Sequence, residues 1–180
     1  MRRSAVAIVF FISLLLALPG VIPAQPQRAS EYEVKAAYLL NFLKFVQWPG
    51  SSAQAENNVP ICILGRDPFG GVLDRIVSGQ QIDGKSVIVK RIAKAADIDN
   101  CRVLFIDSSE SSQLPGTLMS LDDTPVLTVA EMPDFVSRGG IIQFVLKEGR
   151  VRFEINLMNA QKIGLMVSSQ MLNVASAVRR

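Results

Sequence analysis

Any chemistry this chain performs has to be done without histidine. The 180 residues contain no His, two Cys, and 19 Lys/Arg against 16 Asp/Glu. Losing imidazole removes the commonest general base and metal ligand, and with it the Ser-His and Cys-His arrangements. Two cysteines without a histidine cannot complete a structural zinc site, so no metal and no cofactor is expected. Carboxylate pairs remain as an acid–base option, but no spacing singles a pair out. The residue types point to a binding protein rather than an enzyme, with no catalytic residue to name.

Three groups can still recognise something. The first lies at the carboxyl ends of predicted strands, where open α/β sheets bind ligands near a topological switch. It comprises Arg66, Asp67 and Phe69 in the loop Gly65–Gly71, with Asp107, Ser108 and Ser109 after a later strand and Glu131 after another. That loop is neither GxGxxG nor a P-loop. Arg66 either binds an anion or pairs with Asp67 or Glu131, and Arg66, Asp67, Phe69 and Ser108 are the candidate small-ligand residues. The second group is Glu154, Arg152 and Gln143 on the polar face of a predicted hairpin, with Ile142 and Phe144 behind them. It reads either as a solvated cross-strand set or as a partner-binding patch. The third is Leu40 and Trp48 on the first helix; Trp is enriched at binding hot spots and equally serves as a core plug.

The elements that must position these groups are legible. Ser30 with Glu33 three residues on is a capping-box pattern, and Pro49-Gly50 ends the helix it starts. At 100° per residue Val34, Tyr38, Leu39, Phe42, Leu43, Phe45 and Val46 form one apolar arc. Ala37, Leu40 and Trp48 fall among Glu33, Asn41, Lys44 and Gln47 on the other side. A surface helix normally has a polar back, so this is either a core helix with Leu40 and Trp48 among a few apolar residues left showing, or a helix with a second apolar contact to a partner.

Strands follow at 59–64, 86–92, 102–106 and 125–129, alternating with helical pieces at 72–77, 93–98 and 111–121 and a short helix near Phe135. Such alternation implies a mainly parallel sheet, and near-continuous apolar strands imply burial on both faces. Segments 140–147 and 150–156 flank Glu148-Gly149, a two-residue hairpin signal. Counting from the turn pairs Leu146 with Val151, Phe144 with Phe153 and Ile142 with Ile155, all facing the core. Asn156 caps a helix that stops at Gly164, and a last helix runs from Ser168 or Ser169 towards Val178. The expected fold is a single-domain layered α/β sandwich, with a mainly parallel sheet, a C-terminal antiparallel hairpin and helices on both faces.

Met1-Arg2-Arg3, the apolar run Ala5–Leu18 and small residues to Ala24 describe a signal peptide over 1–24. A linker at 25–30 and one domain at 31–180 follow. The apolar run of about 14 residues is short of the ~20 that a membrane-spanning helix needs; an uncleaved anchor is the alternative. Without Arg2 and Arg3 the formal charge of +3 falls to about +1. There is no basic stripe, so nucleic-acid binding is not expected. The leader sends Cys62 and Cys101 to an oxidising compartment. In a sheet of order 2-1-3 the first and third strands are neighbours, so a bridge is plausible; two free buried thiols are the alternative.

The stretches EYEVKAAYLLNFLKFVQWP (31–49), ICILGRDPFGGVLD (61–74) and GGIIQFVLKEGRVRFEINLMNAQKIGLMVSSQMLNVA (139–175) together resemble the YfiR family of secreted bacterial proteins. The resemblance implies a periplasmic, non-catalytic homodimer, with Leu40 and Trp48 as the expected dimer residues, that represses an inner-membrane diguanylate cyclase, and so controls cyclic-di-GMP and biofilm formation. It further implies an outer-membrane lipoprotein that sequesters the repressor, and disulfides of which Cys62–Cys101 resembles one. Any second bridge is absent, since there are no further cysteines. Another membrane sensor, such as a histidine kinase, is the alternative partner.

Overall fold

The computed structural model describes residues 30–50, 57–98 and 100–180. The expected leader and most of the linker lie outside them, as does most of the polar loop that follows Gly50.

Helix α1 spans Glu31–Phe45. Its capping box is formed: the Glu33 amide donates to Ser30 Oγ at 3.3 Å and the Ser30 amide donates to Glu33 Oε2 at 2.6 Å. It ends three residues earlier than Pro49-Gly50 suggests. Val46 is extended (φ −112°, ψ 140°), and β1 (Val46–Gln47) pairs antiparallel with β9 (Met166–Val167). The Ser168 amide donates to the Phe45 carbonyl at 2.9 Å, satisfying one of the last helical carbonyls from outside the helix. Trp48 is therefore not on the helix, and its helical-wheel position does not apply.

The remaining elements are β2 (Asn58–Leu64), α2 (Gly71–Val77), β3 (Gln81–Ile82), β4 (Lys85–Ile92), β5 (Val103–Ile106), α3 (Leu114–Ser120) and β6 (Leu127–Ala130). They continue with β7 (Ile142–Lys147), β8 (Arg150–Asn156), α4 (Leu157–Lys162), α5 (Ser169–Val174) and β10 (Ala177–Arg179). Among the described residues, eight strands form one sheet in the order β10-β8-β7-β6-β5-β2-β4-β3. β2 lies between β4 and β5 with both pairings parallel, so the chain does reverse its winding beside β2. β7 pairs parallel with β6 and antiparallel with β8, and β8 pairs parallel with β10.

Alternation along the strands divides the core in two. Ile61, Ile63, Phe105, Val129, Phe144 and Phe153 face α1 and α2. Leu64, Leu104, Ile106 and Ala130 face Leu114 of α3 and Phe135. The fold is thus the expected α/β sandwich with helices on both faces. Cys62 and Cys101 are bonded, Cα–Cα 5.8 Å apart, inside the second core.

The hairpin register is the expected one: Ile142–Ile155, Phe144–Phe153 and Leu146–Val151. Glu148 (φ 53°) and Gly149 (φ 68°) both occupy the left-handed region that a primed two-residue turn requires. One facing differs. Leu146 is 57% exposed, because the hairpin tip runs past the first turn of α1 and cavities touching Glu31 open on either side of it.

Two helical expectations fail. Around Phe135 the chain makes turns rather than a helix. The Gly140 amide donates to the Phe135 carbonyl at 2.9 Å, and the Phe135 ring lies so close to Gly140 that a Cβ there would sit 2.2 Å from it. The last helix stops at Val174, and Ala177–Arg179 becomes an edge strand instead. The Ser176 amide donates to the Phe153 carbonyl at 2.8 Å, which draws the chain onto β8.

Candidate functional site

The carboxyl ends of β2 and β5 form the switch point, but the loops that meet there fill it. Gly65 (φ 88°) lies against Ser109 and Glu110, and a Cβ at position 65 would fall 2.6 Å from Ser109 Oγ. The Arg66 amide donates to that same hydroxyl at 3.3 Å.

Asp67 Oδ1 accepts the amides of Phe69 (2.7 Å) and Gly70 (3.1 Å), folding the loop on itself. Its Oδ2 accepts from Arg91 Nε at 2.7 Å. Arg91 also donates to both Asp74 oxygens, at 3.1 and 2.5 Å. The hydrogen bonds from Arg91 hold the Asp74 carboxyl below the usual carboxylate range, and their reciprocal effect raises Arg91.

Phe69 is a core residue, edge-on to Phe105 with centroids 4.9 Å apart. Asp107 accepts the Ser109 amide at 2.9 Å and faces Arg66 Nε at 3.5 Å. Burial pushes the Asp107 carboxyl up, yet the Ser109 hydrogen bonds and the Arg66 charge leave it below its ordinary value. The structure thus brings Arg66, Asp67, Phe69 and Ser108 to one end of the sheet. Phe69 and Asp67 serve the loop itself, while Arg66 and Ser108 stay exposed.

A cluster that residue types alone did not reveal lies one strand further along. Lys35 of α1 is buried, its ammonium bonded to Glu31 and to Glu131 at the end of β6. It sits 4.7 Å from the Tyr32 ring centroid, and Tyr32 donates to Glu131 Oε1 at 3.2 Å. Burial works against the Lys35 charge, but the two carboxylates outweigh it and raise the group above the ordinary lysine value. The signal for half of this was the i, i+4 spacing of Glu31 and Lys35; nothing local announced Glu131.

Leu40 and Trp48 are 7% and 9% exposed. Both belong to the α1 core, so the apolar surface assigned to a second copy is covered within the chain: α1 packs against α2 as well as the sheet. Trp48 Nε1 is buried without an acceptor among the described residues, and the Arg102 guanidinium lies 5.8 Å from the Trp48 ring centroid. Beside them, at the amino ends of β2 and β4, is an open cavity of about 630 Å³ lined in part by Lys44, Gln47, Asp83, Lys85 and Met166.

The hairpin group is the one that ends on an open surface. Ile142 and Phe144 are buried behind it. On the opposite face Gln143 Oε1 accepts the Val136 amide at 3.3 Å, and Asn156 Nδ2 donates to the Val136 carbonyl at 3.0 Å. The turns around Phe135 therefore cover that face as far as Gln143. Beyond it Val145, Arg152 and Glu154 are half-buried, and Lys147, Arg150, Ala177 and Arg179 are exposed. Glu154 is paired across the strands with Lys147 at 3.2 Å. Arg152 donates only to the Val151 carbonyl, at 3.4 Å, among the described residues.

Residues 32–176 match the protein family described as YfiR/HmsC-like. No curated protein matches the chain. Several solved structures share its fold, among them the following two. The ABC domain in complex with L-Trp from Streptococcus pneumonia is 13% identical with a TM-score of 0.54, over 79% of this chain and 60% of that one. The conserved domain protein from Vibrio cholerae O1 biovar eltor is 13% identical with a TM-score of 0.56, over 82% and 60%. This chain spans 60% of the length of either, and at that identity the likeness concerns the fold alone.

Proposed function

Because this chain belongs to the YfiR/HmsC-like family, we propose that it is a non-catalytic periplasmic regulator that binds and represses an inner-membrane signalling protein. The partner is a diguanylate cyclase, so that release of the chain raises cyclic-di-GMP and promotes biofilm formation. An outer-membrane lipoprotein that captures the chain belongs to the same reading, as does its action as a homodimer. The observation that carries the proposal is the family match over residues 32–176.

Two features of the structure support a contact on the hairpin face. The strand-end loops are folded onto themselves through Asp67 and Arg91, which disfavours a small-ligand groove there. The open face of the hairpin, with Arg152, Glu154 and the outer part of the Gln143 row, is supported from behind by Ile142 and Phe144. A rigid sheet face with buried support is a suitable platform for a protein partner.

The test is cyclic-di-GMP in cells. Removal of the gene should raise it and the wild-type chain should restore it. Val145→Asp, a change at a half-buried position on the open face, should fold and fail to restore. Unchanged cyclic-di-GMP on gene removal would overturn the regulatory reading.

A further inference from the structure

The open hairpin face is strongly asymmetric in charge. Register places Lys147, Arg150, Arg152 and Arg179 on the side opposite the core residues Val151, Phe153 and Ile155. Glu154 is the carboxylate among them, and it is already paired with Lys147. Glu31 shares a cavity of about 350 Å³ with Arg150 and Arg152, but its carboxylate is bonded to Lys35. Among the described residues Arg150, Arg152 and Arg179 have no ion-pair partner. Register therefore puts three arginine positions on one side of a three-strand surface, and the forked donors of a guanidinium group match carboxylates.

A second observation concerns the backbone beside them. β10 is the last strand of the sheet, so its outer edge has no strand partner among the described residues. Unpaired edge groups are a template for another polypeptide. A strand added there would alternate its side chains with period two, bringing every second one to the face that holds Arg179 and Arg152.

We propose that this face and edge take an extended acidic segment of a partner protein, with carboxylates at alternate positions reaching Arg179, Arg152 and Arg150. The proposal rests on the regulatory reading in treating this as the partner-contacting face. It adds the chemistry of the partner. A polypeptide is preferred to an anionic lipid surface because only a polypeptide offers backbone donors and acceptors to the β10 edge.

The experiment uses the full chain and three probes: a short alternating Glu-Thr peptide, the same peptide with Lys in place of Glu, and phosphatidylglycerol vesicles. The Glu-Thr peptide should bind by fluorescence anisotropy, and the Lys-Thr peptide should not. Arg152→Glu with Arg179→Glu, shown to melt like the parent, should weaken binding about tenfold. Raising salt from about 50 to about 300 mM should weaken it as well, as expected for exposed charges. Binding indifferent to peptide charge or to the double substitution overturns the proposal. So does vesicle binding without peptide binding, or no binding at all. If cyclic-di-GMP still responds to gene removal while the peptide fails, the regulatory reading stands and this chemistry falls.

Discussion

Lys35 of the first helix is bonded to Glu131 at the end of β6, 96 residues further along the chain. This contact ties the start of α1 to the parallel sheet, with Glu31 as the second carboxylate and Tyr32 under the ammonium. A charge this deeply buried is tolerable only because it is paired, and removing one partner of such a pair typically costs about 3–5 kcal/mol.

Lys35 titrates above the ordinary lysine value in the folded chain. Its charge therefore contributes stability that is fully present below the unfolded lysine value of about 10.4 and lost as pH rises through the higher folded value. Thermal melts taken from neutral to strongly alkaline pH should show a declining limb beginning in that window. In Lys35→Met the melting temperature should be less sensitive to pH there. An unaltered alkaline limb in the variant would mean that Lys35 does not set it.

Leu40 lies in the α1 core. Leu40→Ala should destabilise the isolated chain by about 2–5 kcal/mol, the usual cost of emptying a core leucine site. The urea midpoint reads this directly, and a loss that does not depend on protein concentration marks it as internal packing. A change within about 0.5 kcal/mol, the usual limit for surface sites, would return Leu40 to an exposed face.

Cys62 and Cys101 are 0% and 3% exposed, and their bridge closes a loop of sequence separation 39. Reductant without denaturant should leave both cysteines unlabelled by alkylating agents, while the same treatment in denaturant should label both. Replacing the pair with alanine should cost about 4 kcal/mol on the chain-entropy account. Rapid labelling in the native state would show instead that the bridge is accessible enough to act as a switch.

The capping box at Ser30 and Glu33, the Glu148-Gly149 turn and the pairing of Phe144 with Phe153 were all legible and all formed. Each is set by residues close in sequence or by a strict period of two. A helical wheel puts Trp48 on α1 because it assumes the helix continues, but Ser168 and β9, more than a hundred residues on, draw the chain into a strand at Val46. Leu146 had the right face and no cover, since where α1 begins over the hairpin is a tertiary matter. The last residues had a helical pattern but form β10, because an edge of β8 was there to receive them.

By itself, then, the sequence determined the layered α/β class, the hairpin register, the neighbouring first and third strands and the absence of imidazole chemistry. These follow from local propensity, period and composition. Only the tertiary structure decided which apolar residues are left uncovered and which charges find partners. It buried Leu40, Trp48 and Phe69, closed Lys35 between two carboxylates and left Arg150, Arg152 and Arg179 on an open face. Burial and charge pairing depend on what arrives from distant parts of the chain, and no window of neighbouring residues carries that information.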